Sequence, residues 1–275
     1  MKIALATLLL LAGCASPSRQ EVETDRRDDL RTEVNDELNM GREMAAKLLG
    51  HMGAYADDAK AIEYVNLIGQ SLVSKVGRAE LNYRFGLLNS QEINAFATPG
   101  GYIFLTRGLL QNVADESELA AVLGHEIAHV NEKHMYNEIA PKRDVTAAES
   151  VARVMSRGKS DLGKSLSQLV NKGLKMLLEE GMGLEKERAA DSAGILYVEA
   201  SGYNPFALVR FLKRISTVDG RKIPKTAPSF PDRIAALEKV LKDNGLADRS
   251  LADAQVLNER FTSYLPQSAP TKKGT

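Results

Sequence analysis

Apolar residues recur along this chain at helical spacing in most segments and at strand spacing in only two. Residues 30–49 place Leu30, Val34, Leu38, Met44, Leu48 and Leu49 on one stripe, and residues 59–76 do the same with Ile62, Val65, Ile68, Leu72 and Val73. Residues 83–88 and 102–106 are short β-prone runs, the second opened by a turn at Pro99-Gly100-Gly101. A central helix begins near Asp115 and Glu116, whose charges suit a helix N-terminus, and runs through His134. Its apolar positions (Leu119, Val122, Leu123, Ile127, Val130) lie nearly all round, which predicts a buried helix. Beyond Pro141 come two amphipathic stretches, 146–155 and 162–178, separated by a Gly/Ser/Lys segment at 156–163. Core packing is the default reading of the long 138–182 segment; a mobile lid hinged near 156–163 is the alternative. Helical patterns follow at 184–200, closed by Ser201-Gly202, then at 206–215 and 232–241. After Tyr264 the chain is polar and expected to fray. The sum is a mostly helical α+β fold.

The N-terminus breaks this pattern. Lys2, an apolar run from Ile3 to Leu11 and the small residues Ala12-Gly13 read as a secretory signal peptide over 1–13. The run is well short of the ~20 residues that span a bilayer. Leu11-Ala12-Gly13-Cys14 resembles a bacterial lipobox, which implies cleavage before Cys14, lipidation of Cys14, and a polar tether over 14–28. Several acyl chains would hold the protein stably at the membrane, and the absence of Asp at Ala15 favours the outer membrane, with the body facing the periplasm. A plain signal peptide with an incidental cysteine is the alternative. Because 36 Lys and Arg balance 36 Asp and Glu, the chain lacks the basic excess of a general nucleic-acid binder. The single Cys excludes an intramolecular disulfide framework and any Cys-rich metal site. Metal chemistry therefore rests on four histidines: His51, His125, His129 and His134.

Two of them carry a pattern. His125-Glu126-Ile127-Ala128-His129 is H-E-x-x-H on the central helix, so both imidazoles face one way and can share a metal. Glu126, beside the first ligand, can serve as general base toward a metal-bound water. A catalytic zinc needs a third protein ligand and an open position. His134 does not fit the third-histidine spacing known for such sites, and on a continuous helix it would fall on another face. E-x-x-x-D on a second helix is the other solution, and it occurs only at Glu21…Asp25 and Glu187…Asp191. The latter lies among small residues (Ala189, Ala190, Ala193, Gly194) that would let two helices approach closely. Glu187 as ligand, with Asp191 hydrogen-bonded to a ligand histidine, makes a consistent set. A solvated charged face is the other reading of Glu185 to Arg188.

These two motifs, with Tyr64-Val65-Asn66-Leu67-Ile68-Gly69, the run from Asn94 to Leu110, and that from Ala193 to Pro205, resemble the gluzincin metallopeptidase family. This family includes the CAAX prenyl endopeptidase and HtpX, and the match is nearest its periplasmic lipoprotein members of the LoiP and BepA kind. The resemblance implies a zincin-like peptidase domain over 29–245, with one Zn²⁺ held by His125, His129 and Glu187. It makes Gly101, Tyr102, Ile103 and Phe104 an edge strand beside the active site, where an extended substrate adds by backbone pairing. Residues 246–275 are then a partly disordered extension, and no tetratricopeptide domain like that of one family member is expected after Leu241. One departure stands out. Where the family reads Thr-His-Pro, this chain reads Thr226-Ala227-Pro228; Arg233 nearby is retained, either to hold transition-state charge or as an ordinary surface ion pair.

The implied activity is a zinc endopeptidase acting on unfolded or misassembled envelope proteins. Zinc-bound water attacks the peptide bond, and Glu126 is the base. The rival is a zinc-containing chaperone or binding module for outer-membrane protein assembly, which Ala227 favours mildly and Glu126 opposes.

Overall fold

The computed structural model describes residues 19–140, 159–218, 229–246 and 254–265. The signal peptide and Cys14, the amphipathic stretch at 146–155 and Ala227 lie outside the described residues. The chain divides into two compact units, Met1–Asp36 and Glu37–Thr275. The described part of the first is helical. Helix α1 (Arg19–Met52) begins before the apolar stripe that predicted it. Residues 19–29 have no such stripe; they are Glu- and Arg-rich, with Glu23 and Arg27 at the spacing that supports a helix without any core. Among the described residues no helix is long and apolar enough to cross a membrane.

In the second unit, α2 (Ala59–Val76) starts where the Asp58 side chain accepts the Ala61 N–H at 2.9 Å, and it buries Ala61, Tyr64, Val65, Ile68, Gly69 and Leu72. Strands β1 (Arg84–Leu88), β2 (Ala95–Thr98) and β3 (Tyr102–Thr106) form one sheet in the order β1-β3-β2. β1 runs parallel to β3, while β2 is antiparallel to it across the Pro99-Gly100-Gly101 turn. This corrects the expected edge: Tyr102, Ile103 and Phe104 lie in the central strand, paired on both sides, and Gly101 lies in the turn. The open edge belongs to β2. Four residues without β-branched alternation gave that strand no periodic signal of its own.

After the short α3 (Arg107–Leu110), α4 (Glu116–Asn131) is capped by Asp115, which accepts the Glu118 N–H at 2.8 Å, and it is buried from Glu116 to Val130. Contrary to expectation it does not reach His134. Lys133 adopts a left-handed conformation (φ 53°), and a new helix, α5 (His134–Ile139), starts after it. Helix α6 (Lys159–Lys175) runs into a π-helical turn at Met176–Glu180. Val170 and Met176 pack there with Met40 and Met44 of α1 and with Met135, Tyr136 and Ile139 of α5. Residues 159–163 are helical, and the described apolar residues from Leu166 to Met182 pack into core beside α5 and the sheet, while 141–158 lie outside the described residues. Three helices complete the unit's order: α7 (Leu184–Ala200), α8 (Ala207–Ile215) and α9 (Phe230–Asp243).

A tenth described helix, α10 (Ala254–Tyr264), belongs to the same unit and falls in the expected C-terminal extension. Its Arg260 and the hydroxyls of Tyr64 and Tyr203 donate to the fully buried carboxylate of Glu116, Tyr64 at 2.6 Å and Tyr203 at 3.0 Å. Phe261 is fully buried, and Tyr264 stacks on Tyr64 with centroids 4.8 Å apart. Arg214 donates to Glu118 at 2.6 Å, and Arg210 to Asp115 at 3.1 Å. Each acidic residue of the first turn of α4 is thereby matched by an arginine from elsewhere in the chain, which fixes that helix at its N-terminal end.

What positions the site is the packing of α4 against α7. The buried face of α7 reads Glu187, Ala190, Asp191, Gly194, Ile195 and Val198, a helical stripe. At its centre Gly194 lies against the backbone of α4: a methyl group added there would sit 2.9 Å from His125 N and 3.0 Å from His125 Cα. A methyl at Gly124 would meet the Gly194 carbonyl oxygen at 3.1 Å. Gly194→Leu gains about 1 kcal/mol of helix propensity but forces the two backbones apart, an overpacking cost that usually reaches ~3 kcal/mol. The variant is expected to unfold at lower urea with a net loss of about 2 kcal/mol and to bind metal more weakly. A variant as stable as the parent would show that the helices need not touch.

Candidate metal centre

The close packing brings three potential ligands from two helices into one buried cluster. His125 and His129, one turn apart on α4, point their Nε2 atoms at each other across 3.1 Å. Glu187 on α7 completes the triangle, its oxygens 3.5 Å from His125 Nε2 and 3.6 Å from His129 Nε2. Among the described residues this is the one group of three His, Cys, Asp or Glu side chains arranged to share an ion. The dimensions fit a metal. Four ligands at ~2.0–2.1 Å around a tetrahedral ion stand about 3.3–3.4 Å from one another, which the three observed separations bracket. Their electronics fit too. Burial, with His125 adding to it, pushes His129 down to about 3, so its ring is neutral and carries a lone pair. Although burial opposes its charge, Glu187 is held well below the usual carboxylate range by His125, Arg233 and His129.

Around the triangle lies a second set of contacts. Asp191, one turn beyond Glu187, comes within 2.8 Å of His125 Nδ1. Burial disfavours charge on both groups, yet their attraction prevails, holding His125 up at about 10 and Asp191 below its ordinary value. Arg233 of α9 is buried, not on the surface. It grips Asp191 with two parallel hydrogen bonds, Nε to Oδ2 at 2.8 Å and Nη2 to Oδ1 at 2.6 Å, and its Nη1 lies 3.1 Å from Glu187 Oε2. Its guanidinium is committed to fixing the two carboxylates, a role that sequence spacing could not disclose. His134, the first residue of α5, is turned back toward the cluster: its Nδ1 lies 3.1 Å from Nδ1 of His129.

Glu126 stands outside the triangle but beside it, 4.0 Å from His125 Nε2. Burial pushes its carboxyl up to about 7, helped by the Glu187 charge and opposed by His125 and Arg233. A group that titrates there can both take up and release a proton near neutrality. The cluster opens on a cleft of about 140 Å³. Strand β2 with Asn94 forms one side, and Val122, Leu208, Phe211 and Leu212 give it apolar lining. His51 belongs to another region, at the end of α1.

Arg233 balances two buried carboxylates, so Arg233→Met leaves them with His125 alone as a charged partner and is expected to cost the metal-free protein about 3–5 kcal/mol. Urea denaturation with and without chelator measures this; a loss below ~1 kcal/mol would mean that the pair behaves like an exposed one.

Comparison with known proteins agrees with this geometry. Residues 59–241 match the model of Peptidase family M48. The beta-barrel assembly-enhancing protease of Escherichia coli (strain K12) is 27% identical over 278 residues, covering 96% of this chain and 54% of that protein. Its Yersinia pestis namesake is 30% identical over 230 residues, 77% of this chain and 47% of that protein. The mitochondrial metalloendopeptidase OMA1 of Schizosaccharomyces pombe is 28% identical over 186 residues, 66% of this chain and 53% of that protein. The chain thus spans about half the length of the curated relatives it matches. The matched region contains both motif helices, and on that ground the chain belongs to peptidase family M48.

Proposed function

We propose that this protein is a zinc-dependent endopeptidase that cleaves extended segments of unfolded or misassembled proteins in a bacterial cell envelope. The observation that carries the reading is the triangle of His125, His129 and Glu187 with Glu126 beside it, set against the open edge of β2. Zinc held by the three residues would act as a Lewis acid, polarising a scissile carbonyl and acidifying the attacking water. Glu126 then takes the proton from that water and delivers it to the leaving amine. Asp191 keeps the proton of His125 on Nδ1, which leaves Nε2 free as a ligand.

Substrate is held by backbone. Thr106 N–H donates to the Asn94 carbonyl at 3.1 Å, and the register from there pairs Phe96 with Phe104 and Thr98 with Tyr102. In an antiparallel ladder the intervening residues turn their N–H and C=O outward, so Ala95 and Ala97 address the free edge. The Ala95 N–H already binds the Asn94 side chain at 2.9 Å. A chain added there pairs through its main chain, with apolar side chains entering the cleft, and so must be extended rather than folded.

The envelope setting draws on the bacterial relatives, named for enhancing β-barrel assembly. It also draws on the signal peptide over 1–13 and on Cys14, read as the lipid anchor to the outer membrane.

Glu126→Gln is expected to keep zinc and lose cleavage of an unfolded model protein by at least 10²-fold. Chelation should abolish the parent's activity and zinc should restore it. Parent protein that holds zinc but cuts nothing would favour a binding module instead, with Ala227→His as the variant to try. Ala97→Pro removes one outward N–H without touching a β3 pairing; it should depress kcat/KM for the unfolded substrate and leave zinc content unchanged. Unaltered kcat/KM would place the substrate elsewhere than on β2.

A further inference from the structure

His134 is five residues beyond His129, and on a continuous helix it would point about 140° away from it. The chain brings it back by one device. Helix α4 closes with the Glu132 N–H on the Ala128 carbonyl and the Lys133 N–H on the Val130 carbonyl. Lys133 then turns left-handed, with the one positive φ of a non-glycine residue among the described residues. A side chain at such a φ is strained, and a strain of this kind persists only where the surroundings enforce it. Here they do: Met135, Tyr136 and Ile139 of α5 are buried in the core with α1 and α6, so α5 is fixed and His134 with it. The outcome is two rings in an edge-on arrangement, centroids 5.0 Å apart at 73°, with their Nδ1 atoms at 3.1 Å.

Two nitrogens at that distance can form a hydrogen bond only if one carries the proton and the other the lone pair. If Nε2 of His129 faces the metal, its proton is on Nδ1, and the atom that must accept it is Nδ1 of His134. We infer that His134 is a positioning residue for metal binding: a neutral imidazole, protonated on Nε2, that accepts the Nδ1–H of His129 and so fixes its tautomer and ring angle. The two ligand histidines are then held by different chemistry, His125 by the Asp191 carboxylate and His129 by another histidine. The inference rests on the proposed role of His129 as a ligand.

The test is the Zn²⁺ affinity of the full chain by competition with a chromogenic chelator. His134→Phe keeps a ring but has no acceptor and should bind Zn²⁺ about 10- to 100-fold more weakly. His134→Asn places an oxygen near the position of Nδ1 and should recover most of that loss. A His134→Phe variant that binds as the parent does, or a His134→Asn variant as weak as His134→Phe, overturns the inference while leaving the metal site standing. A parent that takes up no Zn²⁺, or a His129→Ala variant that binds like the parent, overturns the metal reading itself. Should the variants fail to fold, ¹⁵N NMR of the zinc-loaded parent decides the point. The proton is expected on Nδ1 of His129 and on Nε2 of His134, and a proton on Nδ1 of His134 contradicts the proposal.

Discussion

Two helix backbones touching at Gly124 and Gly194 are the constraint on which the rest of this structure depends. A side chain at Gly194 would press on His125 N and Cα, and each ångström of separation would be felt in full by Glu187, two turns away on the same face of α7. The two Nε2 atoms stand 3.1 Å apart, with Glu187 Oε2 3.5 Å from that of His125 and Oε1 3.6 Å from that of His129, spacings set by backbone approach more than by side-chain reach. The ends of the helices are secured separately. Arg260, Arg214 and Arg210 hold the N-terminal turn of α4. At its other end Asn131 accepts the Tyr83 hydroxyl at 2.5 Å and donates to the Val76 carbonyl at 2.9 Å. The H-E-x-x-H segment between them has little freedom, which is what a preorganised site requires.

Burying this many ionisable groups demands an electrostatic account. Asp191 and Glu187 bring two negative charges and Arg233 one positive; without a metal the second positive charge is that of His125, held up at about 10, and a metal ion on His125 Nε2 would take the place of that proton. Without Arg233, two buried carboxylates would have only the His125 charge against them, and desolvation would favour protonating them. Arg233 therefore does more for the donor set than spacing in the sequence could indicate: it keeps Glu187 ionised and ready to ligate, and it aims Asp191 at His125.

Much of this was legible in the residues, for physical reasons. H-E-x-x-H and E-x-x-x-D repeat at the pitch of a helix, and the small residues around Asp191 announced a close approach, so the spacing alone brings His125, His129, Glu187 and Asp191 into one cluster. Three features left no such mark. Strand β2 is too short and too weakly patterned, and the bordering role went to β3, which the sheet order instead places at the centre. Helix α10 docks through Arg260, Phe261 and Tyr264 in a segment that otherwise reads as polar. His134 reaches His129 only because Lys133 takes a backbone conformation that glycine or asparagine would have signalled and lysine does not.

The claim at the centre is that α4 and α7 together make one metal site, and locating the metal tests it most directly. Crystals of the zinc-loaded protein, measured across the zinc absorption edge, should show a single anomalous peak per chain in the cluster. It should lie ~2.0–2.1 Å from Nε2 of both His125 and His129, with a Glu187 oxygen at ~2.0–2.2 Å. A peak bound by the two histidines without Glu187, or no peak between them, would contradict the account.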